Sequence, residues 1–228
     1  MAKHGFTSSA RSLEAPRGWA QVLSTKYDWR EAQDELGQRF EISFNAYKPF
    51  ACGIVIHPSI DACAQLRAQG VKPDEVQSIE LRVHPLVLEL TGKKTPQDGL
   101  QGKFSVYHGC AVGLIFGRAG EEEFSDHIVR REDVVRLRDK VQAVVDTSVR
   151  EESVYVTAHL TDGRSVKVHV EHAIGSLQKP MTDADLEGKF RDLSNPILGA
   201  DRVNDILKAC WSLGEAPNLQ GLLALLKP

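Results

Sequence analysis

The sequence predicts an α+β fold: a two-layer α/β sandwich with an antiparallel hairpin, flanked by helices at both ends. Three observations carry that prediction. Val154 to Leu160 and Val166 to Val170 alternate apolar and polar residues on either side of Asp162-Gly163, the strongest short-range hairpin signal in the chain. Ser78 to His84 alternates in the same way, with Ile79, Leu81 and Val83 on one face and Glu80, Arg82 and His84 on the other. Helical spacing governs both ends of the chain, and no βαβαβ alternation points to a doubly wound sheet.

Along the chain, Ser8 or Ser9 opens a helical turn, and Pro16 opens another that carries Trp19, Val22 and Leu23. Asp28 is placed to cap a helix over 29–36, with Gly37 as its left-handed stop. Phe40, Ile42 and Phe44 alternate with polar residues, which predicts a half-buried strand over 39–44. Asn45 to Phe50 is a loop, because the residue before Pro49 is pushed out of helical geometry. An apolar stretch with Gly53 inside it leads to His57-Pro58, where a helix begins that buries Ile60, Cys63, Ala64 and Ala68 and stops at Gly70. Leu86 to Leu90 is a short helix after Pro85, and the polar, glycine-rich 91–102 is a loop. The helix over 104–117 holds Gly109, Ala111 and Gly113, small residues that let its backbone approach a neighbour, although each glycine weakens it by about 1 kcal/mol. A charged helical stretch, 126–140, precedes a strand over 141–145. The hairpin strands are placed at 153–161 and 164–171, in one sheet with 78–84 and covered by helix 58–69. Thr182 and Asp185 form a capping-box pattern ahead of Leu186, Phe190 and Leu193. Asp201 caps a further helix with Val203, Ile206, Leu207 and Cys210 inward, and a last helix covers 218–226.

With 228 residues, 42% hydrophobic and 26% charged, the composition is that of an ordinary globular protein. The 28 basic and 31 acidic residues leave a net charge of -3, which carries no electrostatic footprint for nucleic acid. The longest apolar runs are too short to cross a bilayer, and the amino terminus lacks the apolar stretch of a secretory signal. Cys52, Cys63, Cys110 and Cys210 show neither CxxC nor zinc-finger spacing and are read as free thiols in the cytoplasm. No metal site is expected. Phosphate-binding loops, GxSxG elbows and HExxH motifs are absent from the sequence.

Three residues stand out as candidates for chemistry. His57 sits where a buried segment meets a helix N-terminus, which depresses an imidazole pKa and attracts anions. His108 lies inside the small-residue helix, where a polar side chain needs a partner. For both, a core histidine satisfied by a backbone carbonyl is the competing reading. Lys48, held between Tyr47 and Pro49 in a stiff loop, can pair with a substrate carboxylate, against the alternative of a solvated loop lysine. The other histidines are read as surface or structural groups.

The segment Tyr47-Lys48-Pro49-Phe50-Ala51-Cys52-Gly53-Ile54-Val55-Ile56-His57-Pro58-Ser59-Ile60-Asp61-Ala62 resembles the lysine-proline to HPxIDA segment of the MmgE/PrpD family. That family includes 2-methylcitrate dehydratases, cis-aconitate decarboxylases and iminodisuccinate epimerases. Gly102-Lys103-Phe104-Ser105, the run from His172 to Met181, and the TDADLEGKF segment from Thr182 to Phe190 follow in the family's order. The resemblance implies an α+β small domain, residues 44–176, between a helical segment at 1–43 and helices at 177–228 that belong to a larger, here incomplete, all-helical domain. It also implies cofactor-independent lyase or isomerase chemistry on a small di- or tricarboxylate, as in propionate metabolism, with no metal. Lys48 matches the family lysine that binds substrate carboxylate, His57 matches the histidine of the HP pair, and His108 stands where many members place a tyrosine. Dehydration, decarboxylation and epimerisation stay open on these grounds. The match begins past the middle of the family's helical domain, so the chain resembles a C-terminal half. Its expected partner is a second copy of itself or a separate helical chain. The rival readings are a non-catalytic remnant, a subunit of a split enzyme, or a carboxylate-binding module.

Overall fold

The computed structural model describes residues 1–227, the side chain of Ala2 aside. Contacts divide the chain into two compact units, Met1–Asn45 and everything from Ala46 on. In the first, helices α1 (Trp19–Leu23) and α2 (Trp29–Gln33) are short, and the Asp28 carboxylate caps α2 by accepting from the Arg30 amide at 2.9 Å. The strand expected over 39–44 does not form. Glu41–Phe44 is instead an exposed 3₁₀ turn, closed by the Ser43 amide on the Phe40 carbonyl at 3.0 Å. Alternation marks a strand only where a neighbouring strand takes up its backbone groups, and the described residues of this unit offer none.

The second unit begins with the loop that carries Lys48 and passes through a 3₁₀ turn, Ile54–Ile56, into α3 (His57–Ala68). Gly70, at φ 91°, supplies the left-handed residue that ends this helix region. Strand β1 (Val76–Val83) follows, then α4 (Pro85–Thr91), whose N-terminus is capped by His84 Nδ1 accepting from the Leu86 amide. Within the segment expected to be all loop, Asp98 caps one helical turn, α5 (Gly99–Gly102). Helix α6 (Val106–Phe116) is capped by the Ser105 hydroxyl and closed by Gly117 at φ 72°. The charged stretch is two helices rather than one, α7 (Asp126–Val129) and α8 (Glu132–Arg138), broken where Arg131 adopts an extended backbone.

Strands β2 (Val141–Val145), β3 (Val154–Leu160) and β4 (Ser165–Val170) complete a sheet of order β2-β1-β3-β4. Ile79 lies opposite Ala158 on β3 and Val141 on β2, and Val156 lies opposite Val168 across the hairpin. β1 and β2 run parallel, and the other pairs antiparallel. The apolar side of the sheet packs on α3, and α6 packs on α3 and reaches β2. Ile60, Leu66, Ile79, Leu81, Val156 and Leu114 form the buried interior of these layers. Beyond the sheet come α9 (Asp183–Leu198), with the Thr182/Asp185 capping box, α10 (Ala200–Trp211) and α11 (Gln220–Leu225). Gly199 rather than Asp201 occupies the N-cap of α10, because a φ of 79° is what the tight α9–α10 junction requires there. Val203, Ile206 and Leu207 are buried on α10, which packs against both α9 and α11.

Candidate functional site: a cleft with two unpaired lysines

The loop bearing Lys48 is clamped from several sides. The Tyr47 amide donates to the Gly175 carbonyl at 3.1 Å, the Ala51 amide to Ala119 at 3.0 Å, and the Gly53 amide to Lys103 at 3.0 Å. From α9, Lys189 Nζ donates to the Lys48 carbonyl at 2.6 Å. Gly175 itself is required: at φ 89°, a Cβ there would strike the Tyr47 carbonyl and lie 2.7 Å from Pro49 Cδ. Residues far apart in sequence thus hold one lysine in one place.

Around it lies a cleft of about 1140 Å³, with Lys48, Phe50, Asp61, Lys103, Arg118 and Lys189 in its lining. Most of its charges are already matched. Lys103 pairs with Glu121 at 2.6 Å, Arg118 with Glu123 at 2.9 Å, and Asp61 with Lys179 at 3.0 Å. Lys48 and Lys189 differ. Lys48 Nζ donates only to the Cys52 carbonyl at 3.4 Å, and neither ammonium forms an ion pair among the described residues. Both ammonium groups are therefore open to an anionic group that enters the cleft.

His57 is buried, 3% exposed, as the first residue of α3. Its ring meets Phe50 edge-on at 5.2 Å, and Nε2 has no hydrogen-bond partner among the described residues. Burial lowers its pKa to about 4; the Lys48 and Lys189 ammonium groups add to the shift, and a hydrogen bond with the Cys52 backbone opposes it. At neutral pH it is therefore an uncharged imidazole able to accept a proton. Cys52 is the opposite case: burial pushes its thiol up to about 12, against the pull of Lys48 and Lys103, so it is no nucleophile at neutral pH.

The three residues singled out in the sequence do not all meet. Lys48 lines the cleft, while His57 stands behind Phe50 within electrostatic reach of Lys48. His108 is fully buried in α6, where Nε2 donates to the Glu123 carbonyl at 2.9 Å and the ring packs edge-on against Phe124 at 5.4 Å. Its nearest charged influence is Arg138 rather than Lys48, and burial holds its pKa at about 4. The carbonyl-satisfied core histidine describes it. Lys189, absent from the residues the sequence pointed to, lies 141 positions from Lys48, beyond any local spacing rule. Its one signal was its place inside the TDADLEGKF segment. Among the described residues no group of three or more His, Cys, Asp or Glu side chains is arranged to hold a metal ion, and no helix is long and apolar enough to cross a membrane.

Fold and site together define an α+β domain with a cleft lined by two lysines that form no ion pair among the described residues. Residues 50–213 match the MmgE/PrpD C-terminal domain, and the chain belongs to that family. It is 24% identical over 193 residues to the cis-aconitate decarboxylase of Mus musculus, covering 80% of this chain and 39% of the relative. Over 196 residues it is 24% identical to the 2-methylcitrate dehydratase of Escherichia coli (strain K12), covering 78% of this chain and 40% of the relative. The 2-methylcitrate dehydratase of Salmonella typhimurium matches at 24% over 151 residues, 61% of this chain and 31% of the relative. The chain spans well under half the length of these curated relatives.

Proposed function

We propose that this chain supplies the carboxylate-holding part of a lyase-type site for a small di- or tricarboxylate, of the 2-methylcitrate dehydratase kind. The observation that carries the reading is the pair of unpaired lysines, Lys48 and Lys189, beside a neutral buried imidazole. The ammonium groups fix two carboxylates, and a carboxylate so neutralised makes the neighbouring carbon more acidic. In this scheme His57, which does not line the cleft, receives that proton only when the Phe50 ring beside it shifts, and Lys48 disfavours its protonated form until the substrate's negative charge offsets the lysine. Expulsion of hydroxide from the resulting carbanion completes a dehydration, whereas in a decarboxylation CO₂ leaves first, its bonding electrons stay on carbon, and the carbanion so formed takes up a proton; these are the two reactions named for the relatives. His108 has no direct part in this scheme.

A second reading has its own support. Nε2 of His57 is shielded from solvent, and the chain covers only 39% of the Mus musculus relative and 40% of the Escherichia coli (strain K12) one. On that basis the chain alone binds the acid without turnover, and catalysis needs groups from a separate helical chain or a second copy. Calorimetry with citrate and 2-methylcitrate, alongside assays for 2-methylcitrate dehydration and cis-aconitate decarboxylation, tests both. Acid binding that weakens about tenfold or more in Lys48→Ala and Lys189→Ala is expected, since each removes one charge-assisted contact. Acids that bind equally well to both variants would overturn the site assignment. Turnover by the isolated chain would remove the second reading.

A further inference from the structure

A second cavity, of about 530 Å³, lies between α6, the end of α8 and the edge strand β2, and its walls share no residue with the lysine cleft. Its lining includes Lys94, Thr95, Tyr107, Arg138 and Asp139, together with Val141 to Val144 of β2. Arg138 is the unusual member. It is only 6% exposed, yet its one hydrogen bond among the described residues runs from Nη1 to the Val129 carbonyl at 3.1 Å. Among the described residues, Nε is buried with no partner and no carboxylate forms an ion pair with the guanidinium. Asp139 is exposed and acts on it only at a distance. The Lys94 ammonium, 5.7 Å from the centre of the Tyr107 ring, adds a second positive charge to the lining of the same cavity.

A largely buried guanidinium whose Nε–H has no acceptor and whose charge has no counter-ion among the described residues is an unfavourable arrangement. It becomes favourable when an anion supplies both the opposite charge and the acceptor oxygens. The planar fork of an arginine is matched to two oxygens of one oxyanion, and a lysine at the rim completes the neutralisation. The Tyr107 side chain adds a hydroxyl and an apolar wall that exclude water from part of the contact. We infer that this cavity is a second anion site, taking a small oxyanion, carboxylate or phosphate, through Arg138 with support from Lys94 and Tyr107. Burial lowers the Arg138 pKa from its ordinary value, the direction expected of a cation that the protein itself leaves without a partner.

The test uses the full chain, titrated separately with inorganic phosphate and with succinate, and follows the Arg138 Nε–H resonance together with calorimetry. The expected result is that at least one anion binds with Kd below about 10 mM and shifts that resonance. Lys94→Ala should weaken binding about three- to tenfold, and Arg138→Met should abolish it. The urea midpoint of Arg138→Met should not fall, because an unpaired buried charge has been replaced by an apolar chain. Lys48→Ala should leave this binding unchanged, which separates the site from the lysine cleft. Preference for phosphate or for succinate identifies the kind of ligand, and either supports the assignment. The inference is overturned if neither anion binds below about 10 mM, if Lys94→Ala binds as wild type does, or if binding is lost in Lys48→Ala. Should Arg138→Met fail to fold, Lys94→Ala and the resonance of the unaltered protein decide the matter.

Discussion

His57 and His108 are both buried and both held at about 4, but their charged neighbours are different: Lys48 and Lys189 for the first, Arg138 for the second. Both shifts have the same consequence for stability. In the unfolded chain each imidazole takes up a proton near 6.5, whereas in the folded protein it stays neutral down to about 4. Between those values the unfolded state binds more protons, so stability rises with pH across that window. The contribution is complete above about pH 6.5 and is lost as the pH falls towards 4, by up to roughly 3 kcal/mol per histidine. Urea unfolding at pH 7 and pH 4.5 should show the loss, and His57→Gln and His108→Gln should each reduce it. A pH dependence identical in wild type and both variants would mean that these imidazoles titrate normally.

Helices α3 and α6 meet through glycine. A Cβ added at Gly109 would lie 3.0 Å from Ile60 Cγ1, and one at Gly113 would lie 2.9 Å from the Ile60 carbonyl and 3.2 Å from Cys63 Cβ. Backbone contact of this closeness sets the separation of the two helices that back the sheet and, through the start of α3, the position of His57. Two opposed effects then act on Gly113→Ala. Helix propensity favours alanine by about 1 kcal/mol, while overpacking against an immovable carbonyl costs about 1–3 kcal/mol. The net outcome should be a lower melting temperature. Gly188, inside α9, has nothing within 4 Å of its added Cβ, so Gly188→Ala should raise it by relieving the glycine penalty alone. If the two variants moved in the same direction, close approach would not be what keeps glycine at position 113.

Over the whole molecule, apolar surface is distributed unevenly. The sheet and its helices enclose a continuous core, but the C-terminal helices leave much of their apolar surface in water. Ile197 is 80% exposed and Trp211 56%, and Leu193, Leu219, Leu223 and Leu226 are exposed as well. The three helices cover one another in part, which is where Val203, Ile206 and Leu207 are buried. Each large apolar side chain left in water forgoes about 1.5–3 kcal/mol, against a total stability of about 5–15 kcal/mol for a folded domain. Sedimentation at tens of micromolar protein should therefore reveal species heavier than the 25.2 kDa chain, or binding of a dye that reports exposed apolar surface. A monomer that binds no such dye would show that these faces are tolerated in water as they stand.

Local pattern was enough for most of the elements. Asp162-Gly163 placed the hairpin, the alternation of Ile79, Leu81 and Val83 placed β1, and Thr182 with Asp185 placed the start of α9, because turns, pleats and caps are decided by residues a few positions apart. His108 was legible too, as one of two readings, since a histidine among small residues in a helix usually ends on a carbonyl. Where local pattern had no tertiary partner it misled: Phe40, Ile42 and Phe44 alternate as a strand does, yet the described residues of their unit hold no strand to complete the ladder. Only the tertiary structure decided that β2 lies parallel to β1, that Lys189 meets the Lys48 loop, and that Arg138 is buried with no counter-ion among the described residues. Charge and hydrogen-bond partnership are properties of positions in space, and a pair separated by 141 residues leaves no periodicity in the chain from which it can be read.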